Sequence, residues 1–380
     1  MVLLAVNVTM ELLYREEISV NNFTIYVAPY CHDNPPLLQA LATSSTKSIS
    51  FSTVRRLLRN RIKMKNIGGT VATNFRQKFN IVQKDVLHWF PGHMGKGLKQ
   101  MEQRLKNVDC VVEVHDARVP VSGRQADFRH TLTGLKPHIF VLNKIDLADL
   151  KYKNTIISTL KNEGLSHIIF TNLKDQKCRG MKQILPLATK LITESDRYNR
   201  NTEESFAMMV IGVPNVGKSS LINCLRNTYL KKAKATKEGP IAGVTRSVLT
   251  RIKIAENPDF FVLDTPGILE PKVKDVYTGL KLALIGCLQD HLVGETTLAD
   301  FLLFWLNKHE RYEYVDRLGL PEPNDNITYV LTFIAAKLRS TKKILNYDGQ
   351  YVMKPNLLYA AIYFITMFRS GKLGSICLDK

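Results

Sequence analysis

The sequence predicts an α/β fold: a parallel sheet crossed by helices, followed by a smaller all-helical C-terminal domain. Three observations carry this. Between residues 86 and 264, short apolar runs that read as strands alternate with helical patterns, which implies crossover connections. After about Lys274 the strand signal fades and apolar residues recur at helical spacing to the end. The 380 residues are 45% hydrophobic, ordinary for a globular chain and enough to build two or three domains.

In order along the chain, residues 110–114 (CVVEV) read as the first strand, 138–144 (HIFVLNK) as the second and 167–171 (HIIFT) as the third. Helical patterns at 152–163 and 181–194 separate them from a fourth strand at 206–211, which follows the polar stretch 195–204. Residues 260–264 (FFVLD) are the fifth. The longest apolar run, 357–368, lies between Lys354 and Arg369. It is too short to span a bilayer and reads as a buried helix, so any membrane association is expected to be peripheral. The six cysteines lie far apart without a CxxC pair, which argues for a reducing compartment and against zinc or a disulfide framework. No internal repeat is visible.

The formal charge is +19, and its distribution matters more than its size. Residues 34–108 carry 14 basic and 2 acidic side chains, and residues 225–253 carry 8 basic and 1 acidic. These two blocks account for the whole excess, a pattern of polyanion contact or targeting. From Asn34 to Lys84 there is no Asp or Glu. The stretch STKSISFSTVRRLLRNRIKMK has the basic, hydroxylated, acid-poor composition of a mitochondrial transit peptide. Glu11, Glu16 and Glu17 precede it, which does not suit a transit peptide. An upstream extension or translation from Met64 would each reconcile the two.

Chemistry enters with MVIGVPNVGKSS, which holds the pattern G-x-x-x-x-G-K-S at Gly212, Gly217, Lys218 and Ser219. An apolar strand precedes it and a helix follows from Ser220. In such a loop the backbone N–H groups, here of Asn215, Val216, Gly217 and Ser220 among others, curl around phosphates at a helix N-terminus. Lys218 is expected on the β and γ phosphates, and the Ser219 hydroxyl on Mg2+. Downstream, Asp264-Thr265-Pro266-Gly267 closes a strand. Asp264 is expected to hold the magnesium and the Gly267 N–H to touch the γ-phosphate. Between them GPIAGVTRS presents Thr245, the natural switch threonine for γ-phosphate and magnesium together.

The base is read by Asn143-Lys144-Ile145-Asp146, at the end of the second strand. The Asp146 carboxylate can accept from guanine N1–H and N2–H₂, donors that adenine does not offer. Thr171 and Asn172, after the third strand, stand where a backbone N–H is lent to guanine O6. A second candidate, Asn307-Lys308-His309-Glu310, is rejected. Glu is one methylene too long, the flanks have helical periodicity, and no third element follows. The order is therefore base, base loop, phosphate loop, switch threonine, DxxG: a circularly permuted P-loop GTPase domain binding GTP and GDP.

This order, with HWFPGHMGKG (88–97), VHDARVP (114–120) and GVPNVGKSS, resembles the YlqF-type group of ribosome-assembly GTPases from about residue 85 to the C-terminus. The transit-like segment favours its mitochondrial branch. The resemblance implies a permuted GTPase domain over 85–274, a helical domain over 275–380, and binding to the mitochondrial large ribosomal subunit and its rRNA, as a monomer in the matrix, with peripheral association at the matrix face of the inner membrane an open option. Residues 1–84 are then an N-terminal extension, largely disordered. His88, Trp89 and His93 have no Cys or carboxylate at ligand spacing, so packing or docking is expected of them rather than metal. Asp116 and Arg118 are read as loop-fixing residues. Ile268 stands where a water-positioning Gln often follows the DxxG glycine, so basal hydrolysis is expected to be slow and assisted in trans. Asn215 resembles the asparagine that related permuted GTPases use to hold K+ near the phosphates, a charge-stabilising aid. A nucleotide-gated RNA-binding module that scarcely hydrolyses GTP is the alternative.

Overall fold

The computed structural model describes residues 17–20, 23–26, 75–80, 101–124, 136–175, 177–197, 200–232, 236, 251–265, 275–347 and 349–379. The chain divides into two compact units, residues 1–73 and 74–380. In the first, β1 (Glu17–Val20) and β2 (Phe23–Tyr26) form an antiparallel hairpin in which Glu17 lies opposite Tyr26.

The second unit is built on a six-stranded sheet. Its strands are β3 (Cys110–Asp116), β4 (His138–Asn143), β5 (Ile168–Phe170), β6 (Phe206–Ile211), β7 (Arg251–Ala255) and β8 (Phe260–Asp264). Their spatial order is β5-β4-β3-β6-β8-β7, all parallel except the edge strand β7. Every residue of β3 is buried, which suits a central parallel strand covered on both faces. In β7, Ile252 and Ile254 turn inward while Arg251 is exposed, the alternation of an edge with one wet face. The permutation is visible in the order itself. The earlier strand β3 lies directly beside β6, with Glu113 opposite Ile211.

Helices α1 (Lys153–Asn162), α2 (Arg179–Thr193) and α3 (Lys218–Leu230) belong to this layer. On α2, Met181, Ile184, Leu185, Ala188 and Ile192 are buried at the spacing of a single helical stripe. Its start comes so close to β5 that a Cβ on Gly180 would lie 1.9 Å from the Phe170 carbonyl oxygen.

The C-terminal part is helical as expected, with one addition. It contains α4 (Val276–Leu284), α5 (Asp290–Val293), α6 (Glu295–Lys308), α7 (Glu313–Leu318), α8 (Ile327–Lys337) and α9 (Leu357–Arg369). Between α8 and α9 an antiparallel hairpin, β9 (Thr341–Leu345) and β10 (Tyr351–Pro355), departs from the all-helical expectation. The apolar run at 357–368 is α9, whose Ala360, Ala361, Phe364, Ile365 and Phe368 are buried. No helix among the described residues is long and apolar enough to cross a membrane. Side chains of this part and of the sheet share one continuous core.

Residues 75–80, assigned from sequence to the N-terminal extension, lie against these helices. The Arg76 guanidinium reaches Asp300 at 2.7 Å and Asp325 at 2.9 Å. Phe79 is buried against Phe301 and Phe304. At the other end, the chain after α9 returns to the sheet. Ile376 N–H donates to the Leu147 carbonyl, Leu378 N–H to the Arg118 carbonyl, and Asp379 accepts from the Val121 and Ser122 amides.

Candidate nucleotide-binding site

The carboxyl ends of β3, β4, β6 and β8 converge on one edge of the sheet, where open α/β folds place ligands. Parallel register does the positioning: Asp116 lies opposite Asn143, and Asp264 opposite Val210, just before the phosphate loop. The loop opens at Gly212 with φ 141°, passes Asn215 at φ 59° and ends at Gly217 with φ 108°. A Cβ on Gly212 would sit 2.2 Å from the Val114 carbonyl oxygen, and one on Gly217 2.4 Å from Asn143 Nδ2. Only glycine fits either place. Val216 is buried between them, and Gly217 forms the N-cap of α3.

The base loop and the phosphate loop are joined directly. Asn143 Nδ2 donates to the Val216 carbonyl at 2.7 Å, while Asn143 Oδ1 accepts from Thr171 Oγ1 and the Leu173 amide. Lys144, at φ 64°, donates from Nζ to the Asn215 carbonyl at 2.7 Å. The same Nζ lies 2.9 Å from Asp116 Oδ2, a partner that sequence reasoning did not identify. Asp116 is fully buried, and Arg118 grips its two oxygens at 2.9 and 2.8 Å. Burial opposes ionisation, but the charges of Arg118 and Lys144 outweigh it and hold the carboxyl well below the usual range.

The residues that would face the base are arranged around this joint. The Ile145 amide donates to the Thr171 carbonyl, and Thr171 is itself buried. The Asn172 amide is 3.3 Å from Cys178 Sγ. Asp146, next to Ile145, is exposed, with Lys174 Nζ 3.9 Å away.

At the phosphate end, Lys218 is buried, and Nζ donates to the Gly212 and Val213 carbonyls at 3.1 and 3.0 Å. Desolvation pushes its pKa down to about 8, partly opposed by Asp264. Asp264 is also buried, and burial pushes its carboxyl up while Lys218 pulls it down. Its Oδ1 has no hydrogen-bond partner among the described residues. A buried carboxylate oxygen without a donor fits a place in the shell of a divalent cation. Ser219 is the second residue of α3, directly after Lys218, and its carbonyl accepts from Thr236 Oγ1. Ser220 follows it on the same helix. Thr265 Oγ1 donates to the Val210 carbonyl and ties β8 to β6.

Asn215 Nδ2 donates to the Gly286 carbonyl at 2.6 Å, and Cys287 Sγ to the Pro214 carbonyl at 3.1 Å. The phosphate loop thus touches the turn after α4, a link between segments 71 residues apart that sequence reasoning did not find. Arg369 braces that turn, donating to the Ala283 and Leu284 carbonyls and pairing with Asp290 at 2.6 Å. Thr245, Gly267 and Ile268 lie outside the described residues, as do His88, Trp89 and His93. Asn307 of the rejected motif is on α6 and buried, accepting from Tyr314 Oη and donating to the Asn324 carbonyl.

Comparisons with known proteins give the chain's relatives. The family model described as "50S ribosome-binding GTPase" matches residues 207–336. The "Mitochondrial GTPase 1" of Aedes aegypti is 52% identical over 80% of this chain and 97% of its own length. The "Mitochondrial ribosome-associated GTPase 1" of Bos taurus is 50% identical over 84% of this chain and 96% of its own. The "Ribosome biogenesis GTPase A" of Bacillus cereus is 34% identical, covering 64% of this chain and 79% of that one.

Proposed function

The chain belongs to the family of mitochondrial ribosome-associated GTPases, and from that membership and its site we propose that it assists assembly of the mitochondrial large ribosomal subunit, in the matrix, as a GTP-driven switch. The single observation that carries the nucleotide part is the joint between the two loops. Asn143 and Lys144 hold the Val216 and Asn215 carbonyls, so the proposed base-reading and phosphate-reading loops are held to each other.

In this reading Asp146 takes the guanine N1–H and N2–H₂, with the loop at Thr171 and Asn172 beside O6. Lys218 leaves its backbone carbonyls for the β and γ phosphates, joined by the loop amides from Asn215 to Ser220 and by Gly267. Ser219, Thr245 and Asp264 would hold Mg2+, which when bound neutralises charge on the phosphate oxygens. Lys218 and Thr245 then carry the catalytic burden of charge stabilisation and γ-phosphate sensing. With Ile268 in place of a water-positioning Gln, hydrolysis is slow until the ribosome, aided by K+, completes the site. In this reading Asn215, whose Nδ2 donates to the Gly286 carbonyl, is the residue for that cation. The permuted GTPase domain spans residues 85–274 and the helical domain 275–380, acting as a monomer. Basic residues before 108 and around KKAKATK meet rRNA phosphates, and the segment before residue 84 directs import.

The test is sedimentation with mitochondrial large subunits in GTP-analogue and GDP states, together with turnover in K+ and Na+ buffers. Co-sedimentation specific to the analogue and turnover stimulated by subunits are expected. Turnover that stays basal with both subunits and K+ sinks the catalytic part. Ile268 favours a second reading, an RNA-binding module gated by nucleotide with negligible hydrolysis. In that case Lys218→Ala would lose subunit release without a matching loss of turnover.

A further inference from the structure

The hairpin β9–β10 is the part of the fold that the nucleotide site leaves unexplained. All ten of its strand residues are exposed, and among the described residues neither strand has a second neighbour. A lone two-stranded hairpin is marginal in water, and apolar side chains on an ordinary surface are scattered singly. Here they are gathered. Register sets Tyr351 opposite Leu345 and Met353 opposite Lys343 on one face, and Leu345, Tyr351 and Met353 are 57%, 66% and 60% exposed. The other face pairs Val352 with Ile344 and Lys354 with Lys342. Tyr347, in the connecting turn, is fully exposed.

Charge decides what such a surface can meet. From Lys337 to Pro355 the chain carries Lys337, Arg339, Lys342, Lys343 and Lys354 against the single acid Asp348. Cation and ring stand together, with Lys343 Nζ 4.2 Å from the Tyr351 ring centroid. An apolar protein groove would strip water from these lysines without pairing them. RNA meets both needs: phosphates neutralise the lysines, and unpaired bases stack on exposed rings.

We propose that the β9–β10 hairpin is an RNA-docking element that inserts into a single-stranded loop, meeting phosphates through Lys343 on one face and Lys342 and Lys354 on the other, and stacking bases on Tyr347 and Tyr351. That the RNA is large-subunit rRNA rests on the assembly reading above.

The experiment uses the full chain and two probes, protein-free large-subunit rRNA and intact mitochondrial large subunits, each titrated across a salt series. Two variants are compared with the parent: the triple Lys342→Gln, Lys343→Gln, Lys354→Gln, and the double Tyr347→Ala, Tyr351→Ala. GTP affinity of each is measured alongside and stays unchanged, which reports a correctly folded site. On protein-free rRNA the triple variant flattens the slope of log affinity against log salt by about two to three, at roughly 0.7–0.9 per phosphate lost. The tyrosine variant loses affinity by on the order of tenfold or more with its slope intact. Parental affinity and slope in both variants overturn the proposal. So does a loss on intact subunits with none on protein-free rRNA, which assigns the hairpin to a ribosomal protein. A parent chain that binds rRNA but no subunit in any nucleotide state defeats the assembly reading instead and leaves the rRNA titration to decide the hairpin.

Discussion

Asp116 and Lys144, at the ends of adjacent parallel strands, form an ion pair of 2.9 Å beneath the two loops of the candidate site. The pair makes the guanine-motif lysine answer to three groups at once: Asp116, the Asn215 carbonyl and, through Asp116, Arg118. Asp116→Asn leaves two cations facing a neutral amide in a buried place. Denaturant unfolding is expected to show a loss of about 3 kcal/mol, the usual scale for breaking one side of a buried pair. GTP affinity, measured by fluorescence titration on the folded fraction, falls about tenfold as Lys144 loses its anchor. Unchanged stability and affinity would make the contact incidental.

In the proposed reading, base choice rests on Asp146. Asp146→Asn replaces two acceptors by one acceptor and one donor, which guanine's N1–H and N2–H₂ cannot both use. A loss of GTP affinity on the order of 10²-fold is expected, with relative gain for xanthosine triphosphate, whose C2 carbonyl accepts from the amide. Nucleotide competition reads the outcome, and retained GTP preference refutes the assignment.

Lys218 supplies a pH signature. Its pKa is about 8 in the fold against an ordinary 10.5, so between these values the unfolded chain binds more protons than the native one. Stability of the nucleotide-free protein therefore rises with pH across that window, and the cost of the buried charge is fully present below it. Phosphates beside Nζ restore the charged form. GDP binding near pH 8.5 should then take up a proton, seen as a calorimetric heat that varies with buffer ionisation enthalpy. The variation fades near pH 7 and disappears in Lys218→Met; a buffer-independent heat at the higher pH contradicts the burial argument.

How much of this was legible in the sequence varies element by element. Strands β3, β4, β6 and β8 announce themselves as short apolar runs because both their faces are covered. Strand β7 has a clear alternation at Arg251-Ile252-Lys253-Ile254, but it lies inside a basic block whose charge dominates the reading. TKKIL and YVMKP carry no such alternation and stand between two strongly apolar helices, so the β9–β10 hairpin passed as helix. NKID and GVPNVGKSS were readable because their chemistry is local. The Asp116 contact was not, since it depends on which strands become neighbours. Nor was the Asn215–Gly286 bond, which follows from tertiary packing alone.

Gly217 tests the joint sterically. With φ 108° and Asn143 Nδ2 2.4 Å from any added Cβ, Gly217→Ala strains the backbone and displaces the Asn143–Val216 bond. A stability loss above about 1 kcal/mol is expected by thermal unfolding, with nucleotide binding reduced on the order of 10²-fold. Parental behaviour would mean that the loop relaxes freely, against the joint described above.

Phe79 tests whether the helical part depends on the segment before the GTPase motifs. Its ring lies 5.3 Å from that of Phe301, and its amide donates to Tyr277 Oη. Phe79→Ala is expected to cost roughly 3 kcal/mol in denaturant unfolding, with GTP affinity unchanged. A neutral result would place residues 75–80 outside the folded core.

The neighbourhood of β3 and β6 has a consequence for how the chain is made. During synthesis β3, β4 and β5 leave the ribosome before β6, carrying Asn143 and Asp146 but no phosphate loop. Until β6 is laid beside β3, the nascent chain has the proposed base-reading residues without the phosphate loop they are hydrogen-bonded to in the finished fold. Once both halves meet, a nucleotide bound as proposed would touch residues from each and stabilise their union by mass action. On the proposed reading, the ligand would check finished folding before it acts as a switch.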